Sequence, residues 1–204
     1  MGKIWLAAPL NPKDLAPMLK TREVLEWDRK KGGLIALSEV RIGAIILGTR
    51  PLQKFDKVSA KAAILEAIAE DGEMLLDFSE KVEQLIFRIQ SLKTWNSAQD
   101  WPFWTSESLC VHAKDWLDPY LDHVVKNEDL KKLDLYSILL HSLSFEQQNM
   151  LNELAPTHLT VPSGSQIQIE YKSEGEPPLL SVRLQELFGP VSYTHLRAHE
   201  TVLD

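Results

Sequence analysis

The chain has 204 residues, a net charge of −7 and a hydrophobic fraction of 44%. This composition is typical of a globular protein and excludes a strongly basic nucleic-acid clamp, so any contact with nucleic acid must come from local patches. Cys110 is the single cysteine, which excludes an internal disulfide and fits a reducing, cytoplasmic compartment. No apolar run approaches the roughly 18 residues of a membrane-spanning helix, so no membrane span is predicted.

Residues 1–57 have the pattern of a small β domain. The apolar run at 4–8 predicts a first strand, and Lys31-Gly32-Gly33 predicts a turn between two later strands. The second of these is predicted to be long, from Leu34 to about Leu47. Gly43 lies within it and indicates a bulge or a barrel corner. The pattern alone supports a small twisted sheet.

Residues 58–156 predict a helical domain. Ser59 and Ser79 are candidate N-caps for two helices with apolar faces. A further helix is predicted from Leu109 to Leu117. Ser144-Phe145-Glu146-Gln147 has the pattern of a capping box at the start of the last helix.

Residues 157–190 predict a β-hairpin followed by a helix. Apolar residues alternate on both sides of the turn sequence Pro162-Ser163-Gly164-Ser165. Leu180, Leu184 and Leu187 then recur at helical spacing, before Gly189-Pro190 ends the helix. The fold class predicted for the whole chain is therefore α+β.

A search for catalytic chemistry gives no candidate. The phosphate-binding loop GxxxxGK[ST] and a DEAH sequence are both absent from the 204 residues. Asp115, Asp118 and Asp122 could share a helix face, but such spacing usually marks a solvated surface. Cys110 lies in an apolar context, which favours a buried, inert thiol. We therefore predict no catalytic residues, no metal site and no cofactor in this chain.

Two groups of residues are candidates for binding. The first is the basic patch, for which phosphate contact and a solvated turn are both open readings; its members are Lys20, Arg22, Arg29, Lys30 and Lys31. The second is an aromatic cluster, which could stack on bases or anchor a protein but is interpreted mainly as helical core; it comprises Trp95, Trp101, Phe103 and Trp104.

Several segments, in order along the chain, resemble one protein family. They are VLEWD at 24–28, RIGA at 41–44, RPL at 50–52, WLDPYL at 116–121, LAPTHLTVPSG at 154–164 and PPLLSVRLQELFG at 177–189. Together they resemble the C-terminal region of bacterial DEAH-box ATP-dependent helicases of the HrpB type. No one segment is a catalytic signature, and the ordered agreement is what identifies the family.

The resemblance implies an OB-like β-barrel for residues 1–57 and a parent helicase that uses ATP and magnesium. The nucleotide site would lie upstream, in a part of the parent that this chain lacks. The chain itself would be an accessory fragment that guides single-stranded RNA or DNA weakly, or that stabilises the motor. The alternative is a protein-protein docking module without nucleic-acid contact. Expected partners are single-stranded nucleic acid, the upstream helicase core and, under the docking alternative, another protein.

Residues 191–204 are predicted to be a non-native tail. Their sequence does not resemble the family's continuation and is similar to translated sequencing-adapter read-through. The tail contains His195 and His199 at helical spacing, but two ligands are insufficient for a usual zinc site. We exclude the tail from functional reasoning.

Overall fold

The computed structural model describes residues 15–96 and 99–187, and it confirms the α+β class. The described residues form two compact units. The first contains the residues up to Phe78 together with Thr105–Leu139, and the second contains Ser79–Trp104 and the residues from Leu140 onward. The units divide the helical region between them, so they do not follow the predicted limits at residues 57 and 156. As domain limits, those two positions stay predictions.

The first unit contains an open antiparallel sheet. Its three strands neighbour one another in chain order: β1 (Lys20–Asp28), β2 (Gly33–Ile42) and β3 (Ile45–Pro51). Trp27 is buried on this sheet, whereas all seven residues of β3 are exposed. The described strands do not close into a barrel. The predicted strand at 4–8 lies outside the described residues.

Glycine builds both turns of the sheet. Gly32 has a φ of +62° in the β1–β2 turn, where the Asp28 carboxylate accepts hydrogen bonds from the backbone N–H groups of Lys30 and Lys31. This confirms the predicted turn. Gly43 has a φ of +56° and turns the chain between Ile42 and its partner Ile45.

The predicted long strand from Leu34 to Leu47 is therefore wrong. Gly43 is not a bulge inside a strand but the point where one strand ends and the next begins. A register shift does occur, but it lies between Val40 and Arg41. A glycine at positive φ suits both a bulge and a tight turn, so the sequence did not distinguish them.

The helices are mostly short. In chain order they are α1 (Lys57–Leu75), α2 (Glu80–Trp95), α3 (Ser106–Val111), α4 (Ala113–Leu117), α5 (Asn127–Lys131), α6 (Leu135–Ser142), α7 (Phe145–Leu154) and α8 (Leu184–Leu187). None of the described helices is long and apolar enough to cross a membrane.

α1 begins about one turn earlier than expected from the predicted N-cap Ser59. Its N-cap is Asp56, whose carboxylate accepts from the backbone N–H of Ser59 at 3.0 Å and from the Ser59 hydroxyl at 3.1 Å. The helix packs Gly72 against the buried Cys110 of α3, so closely that a Cβ on Gly72 would lie 2.4 Å from the cysteine sulfur. The helix predicted from Leu109 to Leu117 is interrupted at His112, giving α3 and α4.

The second unit is organised around α2. Its Arg88 is 2% exposed and donates to the carbonyl oxygens of Ala155 at 2.6 Å and Leu151 at 3.2 Å, at the end of α7. Ala155 is the C-cap residue of α7, so its carbonyl lies beyond the last intrahelical hydrogen bond, whereas the Leu151 carbonyl also accepts from the Ala155 N–H at 3.1 Å. At the other end of α7, Ser144 and Gln147 form the predicted capping box.

The C-terminal hairpin of the second unit confirms the predicted turn. Three short strands pair in chain order: β4 (His158–Thr160), β5 (Gln166–Glu170) and β6 (Leu179–Leu180). Gly164, whose φ is +88°, lies in the turn between β4 and β5. Leu180 therefore lies in a strand, and the one-turn helix α8 starts only at Leu184. The Gln84 amide binds the backbone of Tyr171 through both its oxygen and its nitrogen, at 2.9 and 3.1 Å. This joins the hairpin to α2.

Candidate nucleic-acid interface

The five residues of the predicted basic patch lie at opposite ends of β1. Lys20 and Arg22 are at its start, where they face Arg41 and Glu39 of β2. Arg29, Lys30 and Lys31 follow its end, in the β1–β2 turn. A nine-residue strand that rises about 3.3 Å per residue separates the two groups by roughly 25–30 Å. The patch therefore consists of two separate groups.

Arg29 is already engaged in ion pairs. Its guanidinium contacts the carboxylate of Glu70 and lies 2.8 Å from that of Asp71, both on α1. All three side chains are at least one third exposed, so the pairs are screened by water and weak. Even so, they balance the arginine charge and leave Lys30 and Lys31 as the cations of this turn that face solvent.

Lys31 borders an open depression of about 680 Å³ in the first unit. We call it the lysine depression, because two further lysines line it: Lys126 precedes α5, and Lys132 follows it. Its remaining lining residues are Gly33, Leu34, Ile35, Val125, Glu128 and Asp129. Three lysine residues thus line one surface hollow of a size suited to a nucleotide segment.

Backbone hydrogen bonds fix the two sides of the lysine depression to each other. The N–H of Leu34 donates to the carbonyl oxygen of Val125, and the N–H of Asn127 donates to that of Gly32, each at 2.8 Å. Gly33 favours this close approach, since a Cβ there would lie 3.0 Å from the Val125 oxygen, a tight contact. The lysines are therefore carried on a preformed backbone frame.

Asp129 is occupied by structural contacts. Its carboxylate accepts from the backbone N–H groups of Val125 at 3.2 Å and Lys126 at 3.1 Å, and it lies 3.7 Å from the Lys132 ammonium. The Val125 hydrogen bond, followed by that from Lys126, holds the pKa of this carboxyl below its usual value. Across the three lysines and two acids of the hollow, the net charge is +1, which favours an anion.

Sequence reasoning missed Lys126 and Lys132. They are about 100 residues from the β1–β2 turn, and only the pairing of Gly33 with Lys126 brings them beside it. A lysine in a loop before a one-turn helix gives no signal of its own. Lys20 and Arg22, which were predicted, do not line this hollow.

The acids Asp118 and Asp122 also meet a lysine, Lys61 of α1. Their carboxylates lie 3.2 and 2.7 Å from its ammonium, which also donates to the Asp118 backbone carbonyl at 2.9 Å. The hydrogen bond from Lys61 holds the pKa of Asp122 below its usual value. Asp115 does not join these ion pairs. The three acids are thus not a common catalytic face.

Cys110 is buried where α3 packs against Gly72 of α1. Burial, with a smaller contribution from the charge of Glu73, raises the pKa of its thiol to about 11. A thiol in this environment is protonated at neutral pH and is a poor nucleophile or metal ligand. Within residues 15–96 and 99–187, no group of three metal-binding side chains occurs.

The aromatic cluster of the second unit divides into buried and exposed members. Trp101 and Trp104 are 1% and 8% exposed and form core, as interpreted from the sequence. Trp95 and Phe103 are 46% and 64% exposed. Trp95 still leans on Tyr171, with ring centroids 6.4 Å apart.

Two family models match this chain. One, described as the connector region of ATP-dependent RNA helicase HrpB, matches residues 18–52 and so covers the sheet of the first unit. The other, described as ATP-dependent helicase C-terminal, matches residues 116–203. The chain belongs to the C-terminal region of the HrpB-type helicases. This confirms the resemblance found in the sequence.

Similar proteins of known identity agree with this assignment. The ATP-dependent RNA helicase HrpB of Escherichia coli K12 is 35% identical over 172 residues, which are 84% of this chain and 21% of that protein. A crystal structure titled as the E. coli DExH-box NTPase HrpB has a TM-score of 0.66 at 33% identity, covering 86% of this chain and 22% of its own. A second crystal structure, of the Escherichia coli DEAH/RHA helicase HrpB, has a TM-score of 0.65 at 32% identity, and the match covers 91% of this chain and 23% of that one.

The chain spans about a fifth of the length of these HrpB relatives. The match to the C-terminal model runs to residue 203, past Pro190, where the prediction placed the end of the family likeness. Residues 188–204 lie outside the described part of the chain. The origin of residues 191–204 stays a prediction.

Proposed function

We propose that this chain is an accessory part of an ATP-dependent RNA helicase and that it guides single-stranded nucleic acid by its phosphates. The lysine depression carries the proposal, because three lysines from two distant parts of the sequence line one hollow. A protein of net charge −7 gains little from general attraction to nucleic acid. A preformed local group of cations is the arrangement that such a protein needs.

The chemistry of the hollow fits a phosphate backbone better than a base edge. Ammonium groups act as point charges and contact phosphate without reading sequence. Their long side chains adapt to a strand that moves past them. The proposed role is therefore guidance without sequence preference, and it extends to RNA and DNA alike.

The predictions that reach beyond the chain belong to the same proposal. The parent binds ATP and magnesium upstream of this segment, acts in the cytoplasm, and contacts this segment in cis. The three strands of the first unit contribute to an OB-like barrel in the whole protein, and an antiparallel meander with a register shift between Val40 and Arg41 supports this. The chain alone binds no ATP, which calorimetric titration with magnesium-ATP checks.

A matched pair of double variants tests phosphate guidance. Lys31→Ala with Lys126→Ala removes two charges from the lysine depression. Lys57→Ala with Lys114→Ala removes two charges from another hollow of the first unit, lined also by Lys61, Asp118 and Asp122. Binding of labelled oligouridine is measured by anisotropy at several salt concentrations. The first variant should lower the slope of log affinity against log salt by about 0.7 per lost contact.

The second variant has the same net charge as the first and should keep the wild-type slope. Equal slopes for all three proteins would refute guidance at the lysine depression. An equal fall in both variants would show that only total charge matters. Substitution of Lys20 and Arg22 serves as a further comparison, since they are far from the hollow.

The alternative, a protein-docking module without nucleic-acid contact, is favoured by one observation. Three consecutive apolar residues of β3, Ile45, Ile46 and Leu47, are 64%, 48% and 54% exposed. Exposed apolar surface of this kind marks interaction sites. Wild-type protein that binds no oligouridine even at low salt would favour this alternative over strand guidance.

A further inference from the structure

Phe103 lies between two anchored tryptophans in a loop of the second unit. Its neighbours Trp101 and Trp104 are buried, and their backbone carbonyls accept hydrogen bonds from α2: Lys93 Nζ at 3.0 Å and Gln90 Nε2 at 2.7 Å. Pro102 restricts the backbone between them. The loop is thus anchored on both sides of an aromatic ring that is 64% exposed.

A cation lies over one face of this ring, which leaves the opposite face for stacking. The Lys93 ammonium is 5.6 Å from the Phe103 ring centroid, within the range of a cation–π interaction. Its hydrogen bond to the Trp101 carbonyl keeps it there. An exposed ring next to a fixed positive charge offers a stacking surface and a phosphate contact within one nucleotide's reach.

We infer that Phe103 and Lys93 form a base-stacking site for single-stranded nucleic acid. Single-strand sites combine aromatic rings that stack on bases with cations that hold the backbone. A protein partner would favour a different neighbour, because lysine is depleted from the cores of protein interfaces whereas aromatic residues are enriched there. The site would accept any base, since every base presents a stacking face.

This inference rests on the proposed function in requiring the same ligand, but it uses different residues and a different kind of contact. The lysine depression acts through charge, so its loss changes the salt dependence of binding. Stacking depends on the bases and is far less sensitive to salt. The two sites can therefore fail separately.

The experiment compares two labelled strands of about 12 residues, a length within the range of known single-strand sites. One is oligouridine, and the other is an abasic strand with the same number of phosphates. Phe103→Ala should weaken oligouridine binding roughly 5- to 100-fold and leave the abasic strand unaffected. The salt slope should stay at the wild-type value.

Two further variants separate stacking from simple apolar contact. Phe103→Trp should retain or strengthen oligouridine binding, whereas Phe103→Leu should weaken it like alanine. Melting temperatures of all three should match wild type, because the side chain is mostly exposed. Oligouridine affinity unchanged in Phe103→Ala overturns the inference and points to a protein partner at this loop. Full binding by Phe103→Leu overturns it as well, by showing that no aromatic face is required.

If the inference fails in this way, the double variant Lys31→Ala with Lys126→Ala still tests guidance by its salt slope. If guidance fails instead, the difference between oligouridine and the abasic strand still reports on Phe103.

Discussion

The two units use polar side chains in different ways. In the second unit, Arg88 and Gln84 of α2 bind backbone groups far away in sequence, and Arg88 does so while almost completely buried. In the first unit, Arg29 and Lys61 form long-range ion pairs with carboxylates that are about one third or more exposed, and Lys61 also donates to the Asp118 backbone carbonyl. The first pattern satisfies groups that would otherwise lack partners. The second joins lysine and arginine to carboxylates that water also reaches.

This difference predicts where single substitutions do harm. Removing a buried donor leaves its acceptors without partners, which costs more than the net value of the hydrogen bond itself. Removing one side of an exposed ion pair returns the other side to water at little cost. The second unit should therefore be sensitive at polar positions where the first is tolerant.

The largest effect should come from Arg88→Met. It keeps an unbranched apolar chain but removes the buried Arg88 donor from the Ala155 carbonyl and leaves the Leu151 carbonyl with the Ala155 N–H alone, so we expect a loss of about 2–4 kcal/mol of unfolding free energy. Urea unfolding gives the magnitude, and hydrogen exchange of peptides around α7 gives the location. Arg29→Met makes the same chemical change at an exposed site and should cost below about 1 kcal/mol. Equal losses in the two variants would end the distinction between the units.

An intermediate effect is expected from Gly72→Ala, which tests apolar packing in the first unit. The new Cβ would lie 2.4 Å from the Cys110 sulfur and 2.9 Å from its Cβ. Overpacking of about 1–3 kcal/mol should outweigh a gain of about 1 kcal/mol in helix propensity. The expected result is a lower urea midpoint, partly restored by Cys110→Ala. Gly48→Ala is the control, since its Cβ would meet nothing within 4 Å. A more stable Gly72→Ala protein would contradict the close contact.

The smallest effect concerns pH and the exposed ion pairs. The Lys61 hydrogen bond lowers the pKa of Asp122 below its ordinary value of 3.8. A carboxyl whose pKa is lowered by folding stabilises the folded state at any pH above its ordinary, unfolded-state pKa. This contribution is lost as the pH falls through the lower, folded-state pKa. Asp122→Asn should therefore reduce the drop in melting temperature between about pH 5 and pH 3. Asp115→Asn, outside these ion pairs, should leave the drop unchanged; the same reduction in both would show that the Lys61 pair has no special part.

Local signals in the sequence were reliable where the structure depends on local contacts. The turns at Gly32 and Gly164 and the capping box at Ser144 each need only residues within a few positions, and all three are confirmed. The start of α1 was missed although it is also local, because Asp56 and Ser59 can both act as caps. The aspartate does so, with Ser59 as its donor.

The candidate site was predictable only in part. Lys31 was found because it lies in a recognisable turn, but the lysines across the hollow depend on a backbone pairing between Gly33 and Lys126. Neither residue carries a signal for that pairing. The aromatic cluster was found as a group, yet which rings face solvent depends on the hydrogen bonds from Lys93 and Gln90 to the loop. The sequence pattern predicted which residue types would form the site, but tertiary contacts determine which individual residues belong to it.

The exposed outer edge of β3 limits the concentration at which this polypeptide stays soluble. Ile45, Ile46 and Leu47 present apolar side chains beside the free backbone edge of the described sheet. These three residues include none of the lysines, prolines and charges with which sheet proteins prevent strands of separate molecules from pairing, and within β3 such residues come only at its end, at Arg50 and Pro51. Molecules of the isolated chain should therefore aggregate through this strand as their concentration rises, and one charged gatekeeper at Ile46 should delay it.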